Sequence, residues 1–138
     1  MPKTDWQALG RRIAREVMGW VQWDELSADN QQLIPIYNRR TWLTLDELGC
    51  PHSTDLLYKD WQPHKDVAQA LMAKDHIVKQ AWPGCRFTMD SVQHSGSRAW
   101  FRRGEQIYHG DHKTDAKVIC LAIEEWMDAQ KELQDDPE

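Results

Sequence analysis

Six consecutive residues, Val118-Ile-Cys-Leu-Ala-Ile123, are apolar. They lie in a stretch that begins after Gly110 and runs to about Lys131, with Thr114 or Asp115 placed to cap a helix and Trp126 and Met127 extending its apolar face. A surface helix needs one apolar stripe. A turn and a half that is apolar almost all the way round needs cover on every side. The pattern therefore predicts the most buried helix of the protein here, and the rest of the chain has to supply what surrounds it.

The elements just upstream are legible as one cassette of helix, strand, hairpin and helix that starts at Trp61. Pro63 suits the first turn of a helix, where its missing N–H would be unpaired in any case, and Asp66 suits the positive end of the helix dipole. Val67, Ala70, Leu71, Val78 and Ala81 make the expected inner face, and Pro83-Gly84 the stop. Cys85 to Ser91 alternates, with Cys85, Phe87 and Met89 on one face and Arg86, Thr88 and Asp90 on the other. Residues 93–97 read as a loop. Arg98–Arg102 and Glu105–His109 read as a hairpin turning at Arg103-Gly104. In that hairpin Ala99, Phe101 and Ile107 are expected on one side, and Trp100 and Tyr108 on the other. The second side is too aromatic to be left wet. The first helix, expected over Asp5–Val21 with Trp6, Leu9, Ile13, Val17 and Trp20 on one stripe, is the natural cover.

These readings give an α+β domain, a small antiparallel β-sheet with helices on both faces, in effect an α/β/α three-layer sandwich. The 138 residues suit one domain, which spans 1–131, and 132–138 form an acidic tail. Net charge is −5, but residues 124–138 hold seven acids and one base, so the remainder is close to neutral. The eight tryptophans at 6, 20, 23, 42, 61, 82, 100 and 126 are spread along the chain. Most are expected in the core, since large rings are efficient at burying area. Cys50, Cys85 and Cys120 make an odd count with no C-x-x-C, which suits free thiols in a reducing cytoplasm. No apolar run approaches a bilayer span, and the N-terminal residues do not read as a secretory or transit peptide.

Residues 22–60 carry the weakest signal. Thr41–Leu45 is β-prone and Ile36-Tyr37 extends it, whereas Thr44-Leu-Asp-Glu47 has the form of a capping box. At least one short strand or helical turn is expected there, because long structureless loops are uncommon in compact domains.

Four features occur in a fixed order: Val17-Met18-Gly19-Trp20, the Trp61-x-Pro63-x-x-Asp66 opening, an aromatic hairpin, and Ala116-Lys-Val-Ile-Cys-Leu-Ala122. Together they resemble the phage ABA sandwich domain family, small proteins of phages and prophages with no established activity. The resemblance covers residues 5–23 and 58–130 and implies the layers derived above. It leaves 24–60 as an insertion. The order of helix, three strands and helix is also that of a double-stranded RNA-binding domain, and Lys113 and Lys117 stand where that family holds phosphates. Asp111 and Asp115 among those lysines, and the acidic chain, argue against nucleic acid as a partner.

Motifs for catalysis are missing: there is no phosphate loop, dinucleotide fingerprint or zinc-protease helix. His109-Gly-Asp111-His112 holds metal-ligating residue types, but Gly and Asp are ordinary in a turn. No metal, cofactor or catalytic residue is assigned. The candidate ligand site is the arginine group Arg86, Arg98, Arg102 and Arg103, with Trp100 and Tyr108 as stacking faces. Guanidinium suits bidentate phosphate recognition. Solvating a sheet edge is the commoner role of such residues. The leading expectation is a non-enzymatic phage or prophage accessory protein that binds a host protein, with homo-oligomers allowed. The alternative is a small-nucleotide binder that sequesters a signal on the arginine surface, and a concave basic pocket with a Trp wall would favour it. Double-stranded RNA binding comes third.

Overall fold

The computed structural model describes residues 4–92 and 96–134. The chain is α+β. Helices α1 (Trp6–Glu16), α2 (Ala28–Leu33), α3 (Val67–His76) and α4 (Asp115–Gln134) are combined with two small antiparallel sheets. One sheet is the pair β1 (Thr41–Leu45) and β2 (Pro51–Leu57); the other has the order β3 (Arg86–Val92), β4 (Gly96–Arg103), β5 (Gln106–His112). No helix among the described residues is long and apolar enough to cross a membrane.

Helix α4 is the hub. Val118, Ile119, Cys120, Ala122 and Ile123 are each fully buried, as the apolar run requires. The helix packs on β4 and β5, on α3 and on α1. Its approach to the sheet is closest at Gly110, where an added Cβ would lie 2.6 Å from Leu121 Cβ and 2.7 Å from the Val118 carbonyl. Burial pushes the Cys120 thiol up to about 12, with the nearby Glu124 adding to the shift, so this cysteine is a packing residue and not a nucleophile. Arg12 on α1 reaches Asp128 on α4 at 2.7 Å while also pairing with Glu16 at 2.6 Å, which fixes the two helices laterally.

The first helix is shorter than its stripe suggests. It ends at Glu16. Gly19 takes a left-handed φ of +72°, which turns the chain so that the Trp20 N–H reaches back to the Ala14 carbonyl at 2.9 Å. Leu9, Ile13, Val17 and Trp20 are all buried regardless, and Val21 leaves to form a bridge with Leu43. The second expected helix begins later than Pro63. Residues 63–65 form a turn, and Asp66 caps α3 by accepting from the Ala68 and Gln69 N–H groups. Its buried face is Ala70, Ala73 and Ile77. Val67 is exposed as the first residue of α3, and Ala81 is exposed because the helix widens into a π-turn over Ile77–Ala81, closed by the Trp82 N–H to the Ile77 carbonyl, which breaks the 3.6-residue spacing.

Within 22–60, Thr41–Leu45 is a strand, as its residues suggest, while Ile36–Asn38 is a single 3-10 turn. The partner strand β2 carries little β signal in the sequence, because Pro51-His-Ser-Thr-Asp is polar and opens with proline. Asp46 makes the hairpin turn by accepting from the Leu48 and Cys50 N–H groups and pairing with His52 Nε2 at 2.9 Å. Trp42 from this hairpin is fully buried. It lies 6.3 Å from Trp20, which in turn meets Trp61 edge-on at 4.8 Å. The Trp61 Nε1–H donates to the Gly10 carbonyl at 2.7 Å. Trp82 and Trp126 are buried as well, so five of the eight tryptophans belong to one core cluster, and Trp6, Trp23 and Trp100 are half-buried.

The layers differ from the expected arrangement at the three-stranded sheet. Helix α4 covers one face, and α1 packs against α4 rather than over the opposite face. Along β4 the alternation is sharp: Ala99 and Phe101 are fully buried, Arg98 and Arg102 are exposed, and Trp100 is half-buried. The outward face is therefore open. Residues 93–95, in the expected loop, and 135–138, in the expected tail, lie outside the described residues; Gly96 and Ser97 belong to β4, and α4 continues through 134.

Two measurements test this packing. Gly110→Ala should lower stability by about 2 kcal/mol in urea denaturation, because the added methyl meets backbone that cannot yield cheaply. The second concerns His64, which is buried, stacked on Trp6 at 5.9 Å, and leaves Nδ1 without a hydrogen-bond partner. Burial first, then the charges of Lys65 and Lys117, hold its pKa below the ordinary histidine value. His112, edge-on to Trp6 at 5.5 Å, is lowered by burial and by Lys117 and Lys113. The unfolded chain thus takes up these protons at higher pH than the folded one, so stability present above a pH of about 6.5 is lost as pH falls through the lower folded values. The urea midpoint should drop on acidification through this window, and His64→Phe should flatten the drop.

Candidate functional site

The outward face of the three-stranded sheet is built by strand alternation. Register places Arg86 opposite Arg102, Thr88 opposite Trp100 and Asp90 opposite Arg98 across β3 and β4. Across β4 and β5 it places Trp100 opposite His109, Arg98 opposite Asp111 and Arg102 opposite Ile107. Like charges directly opposite each other on a sheet are unfavourable. Arg86 and Arg102 are such a pair, and among the described residues neither has a carboxylate partner. The Arg102 Nε–H instead donates to the Gly104 carbonyl at 3.2 Å, which holds its side chain along the turn.

Trp100 stands between two hollows. One, of about 610 Å³, is bounded by Arg86, Thr88, Trp100, Arg102, Arg103 and the backbone of Gly84 and Gly104. The other, of about 430 Å³, is lined by Arg98, Trp100, Arg102, Ile107, His109 and Asp111. Their electrostatics differ. The first holds three guanidiniums and no acid. In the second, Arg98 pairs with Asp111 at 3.4 Å, and His109 lies 3.4 Å from Glu125, whose carboxylate also accepts from the His109 N–H. An anion is thus favoured in the first hollow, and the second is locally balanced.

The expected site residues divide accordingly. Arg86, Trp100, Arg102 and Arg103 meet around the first hollow, and Arg98 lines the second. Tyr108 does not belong: it pairs with Phe101 on the α4 side of the sheet and packs 5.4 Å from Trp82. Ile107, expected inside, is exposed on the outward face. The cause is turn length. A two-residue turn pairs odd-numbered residues of one strand with even-numbered residues of the next, so the alternation cannot be carried straight through it. Arg103 ends β4 with its guanidinium 5.9 Å from the Trp82 ring, which leads the basic surface round toward the π-turn. Thr88, His109 and Asp111 also join the face, and the same pairing rule would have found them.

The other motifs separate. His109 and His112 fall on opposite sides of β5, with His112 against Trp6, and no group of three or more potential metal ligands occurs among the described residues. Lys117 lies with its ammonium 5.3 Å over the Trp6 ring, and Asp115 is bonded to Ser97, so the start of α4 is occupied by intramolecular contacts. Cys50 is exposed in the β1–β2 turn; Cys85 and Cys120 are buried, and all three are free thiols. Comparison with known proteins finds no matching family model, no matching curated protein and no matching solved structure.

Proposed function

We propose that this chain is a non-enzymatic binding protein, that its working surface is the uncovered face of the three-stranded sheet, and that its ligand is a small nucleotide. The observation that supports this reading is the acid-free hollow in which Arg86 and Arg102 stand directly opposite each other beside Trp100. Two guanidiniums held together without a carboxylate gain most from a phosphate, which accepts bidentate hydrogen bonds and relieves their repulsion. A half-buried indole offers a base a stacking surface worth about 1–3 kcal/mol. The hollow falls in the size range of small-molecule sites. Thermal-shift and calorimetric titrations with linear and cyclic nucleotides should show stabilisation. Trp100→Ala and Arg102→Ala should each weaken binding by about tenfold or more. Absence of stabilisation by every nucleotide would sink the proposal.

A second reading, docking of a host protein, is favoured by a different observation. Of the nine large apolar side chains exposed among the described residues, five lie between 33 and 48: Leu33, Ile36, Tyr37, Leu45 and Leu48. The Asn30 side-chain amide donates to the Gly49 carbonyl at 3.1 Å, joining α2 to the hairpin turn. Exposed apolar side chains concentrated in one segment suit protein contacts. Pull-down from host lysate with wild type and with Ile36→Asp/Leu48→Asp should recover a partner with the first only; a partner held equally by both removes this reading. Both readings suit an accessory protein of the phage ABA sandwich type, acting in a host cytoplasm where free thiols stay reduced.

A further inference from the structure

The two edges of the three-stranded sheet are unlike. At β5 the Glu125 carboxylate of α4 accepts from the His109 N–H, and Trp6 of α1 packs against His112, so side chains from two helices guard that edge. Among the described residues no side chain bonds to the backbone of the β3 edge, although the Lys74 ammonium of α3 lies 5.3 Å over the Phe87 ring on the helix side. Arg86, Thr88, Met89 and Asp90 are all exposed, and Met89 is among the large apolar side chains left in solvent. An unguarded edge presents a row of backbone donors and acceptors to any strand that fits it.

The sequence of β3 specifies what fits. Read outward from Thr88, Arg86-Phe-Thr-Met-Asp90 is self-complementary in an antiparallel arrangement. We propose that β3 pairs with the β3 strand of a second copy of this chain about a two-fold axis through Thr88, joining two three-stranded sheets into one of six strands. Arg86 of each copy then faces Asp90 of the other, Phe87 faces Met89, and the two Thr88 hydroxyls meet at the axis. Opposite residues of an antiparallel pair share a face, so the two ion pairs and the threonines fall on the outward face and the Phe–Met pairs fall on the helix side. A two-fold centred on one residue is compatible with either phase of the backbone hydrogen bonds. Within one copy neither Arg86 nor Asp90 has an ion-pair partner among the described residues, since the only carboxylate paired with Arg98 there is Asp111. The interface is isologous and therefore closes at two copies. It also brings Asp90 of the second copy against Arg86, so dimerisation and phosphate binding in the hollow compete for that guanidinium.

Charge exchange tests the register and the occupant together. Sedimentation equilibrium of the full chain without ligand should show a monomer–dimer equilibrium for wild type. Arg86→Asp and Asp90→Arg each place two like-charged pairs across the axis, and each should weaken dimerisation by roughly tenfold. The double variant Arg86→Asp/Asp90→Arg restores both pairs and should dimerise like wild type. An equimolar mixture of the two single variants should form heterodimers. A wild type that stays monomeric at millimolar concentration overturns the proposal. So do single variants that dimerise as wild type does, and so does a folded double variant that remains monomeric.

Discussion

The contact between α4 and the sheet at Gly110 sets the spacing of everything else. With no side chain on β5 at that point, the helix backbone comes within van der Waals distance of the strand, and the apolar turn Val118–Ile123 sits low against β4 and β5. Each fully buried aliphatic there contributes about 1.5–3 kcal/mol relative to exposure. Because that turn has apolar groups on all sides, the sheet alone cannot satisfy it. Helices α3 and α1 close the remaining sides, which draws α1 away from the outward face of the sheet and onto α4. The open face is thus a geometric consequence of where the most apolar helix lies.

Leaving that face open changes what its residues have to do. An antiparallel sheet with one solvated face ordinarily alternates apolar and polar residues, and the middle of β4, Arg98–Arg102, does so at every position but one. Trp100 is that exception, flanked by Arg98 and Arg102 on its own strand. Balanced pairs such as Arg98 with Asp111 explain themselves as surface solvation. The opposed Arg86 and Arg102 do not, and the difference between the two hollows rests on that contrast.

What the sequence made legible follows from which signals are local. Burial of Leu9, Ile13, Val17 and Trp20 was legible from spacing even though the helix stops at Glu16, because the left-handed Gly19 returns Trp20 to the same side. The burial of Val118–Ile123 needed no knowledge of partners at all. The faces of the second hairpin strand were not legible, since Tyr108 and Ile107 exchange sides on the parity of a turn. The expected inner face fails at Ala81 because a π-turn shifts the helical phase and no residue in Ile77–Ala81 announces one, and at Val67 because it is the exposed first residue of α3. For the candidate site, Arg98, Trp100 and Arg102 could be grouped from strand alternation alone, whereas Arg103 has the opposite parity and Arg86 joins through the pairing of β3 with β4. The acid-free character of their hollow depends on long-range register, which sequence does not carry.

The clustering of Trp20, Trp42 and Trp61 has an optical consequence. Their ring centroids lie 6.3 and 4.8 Å apart along the chain of contacts, and Tyr58 adds a fourth ring 5.1 Å from Trp42. At such separations the electronic transitions of neighbouring indoles couple, and the coupled bands overlap the peptide region of the circular dichroism spectrum. The ellipticity of this protein is therefore a mixed signal of backbone and ring geometry. Its change on unfolding would record the loss of this ring cluster together with the loss of helix.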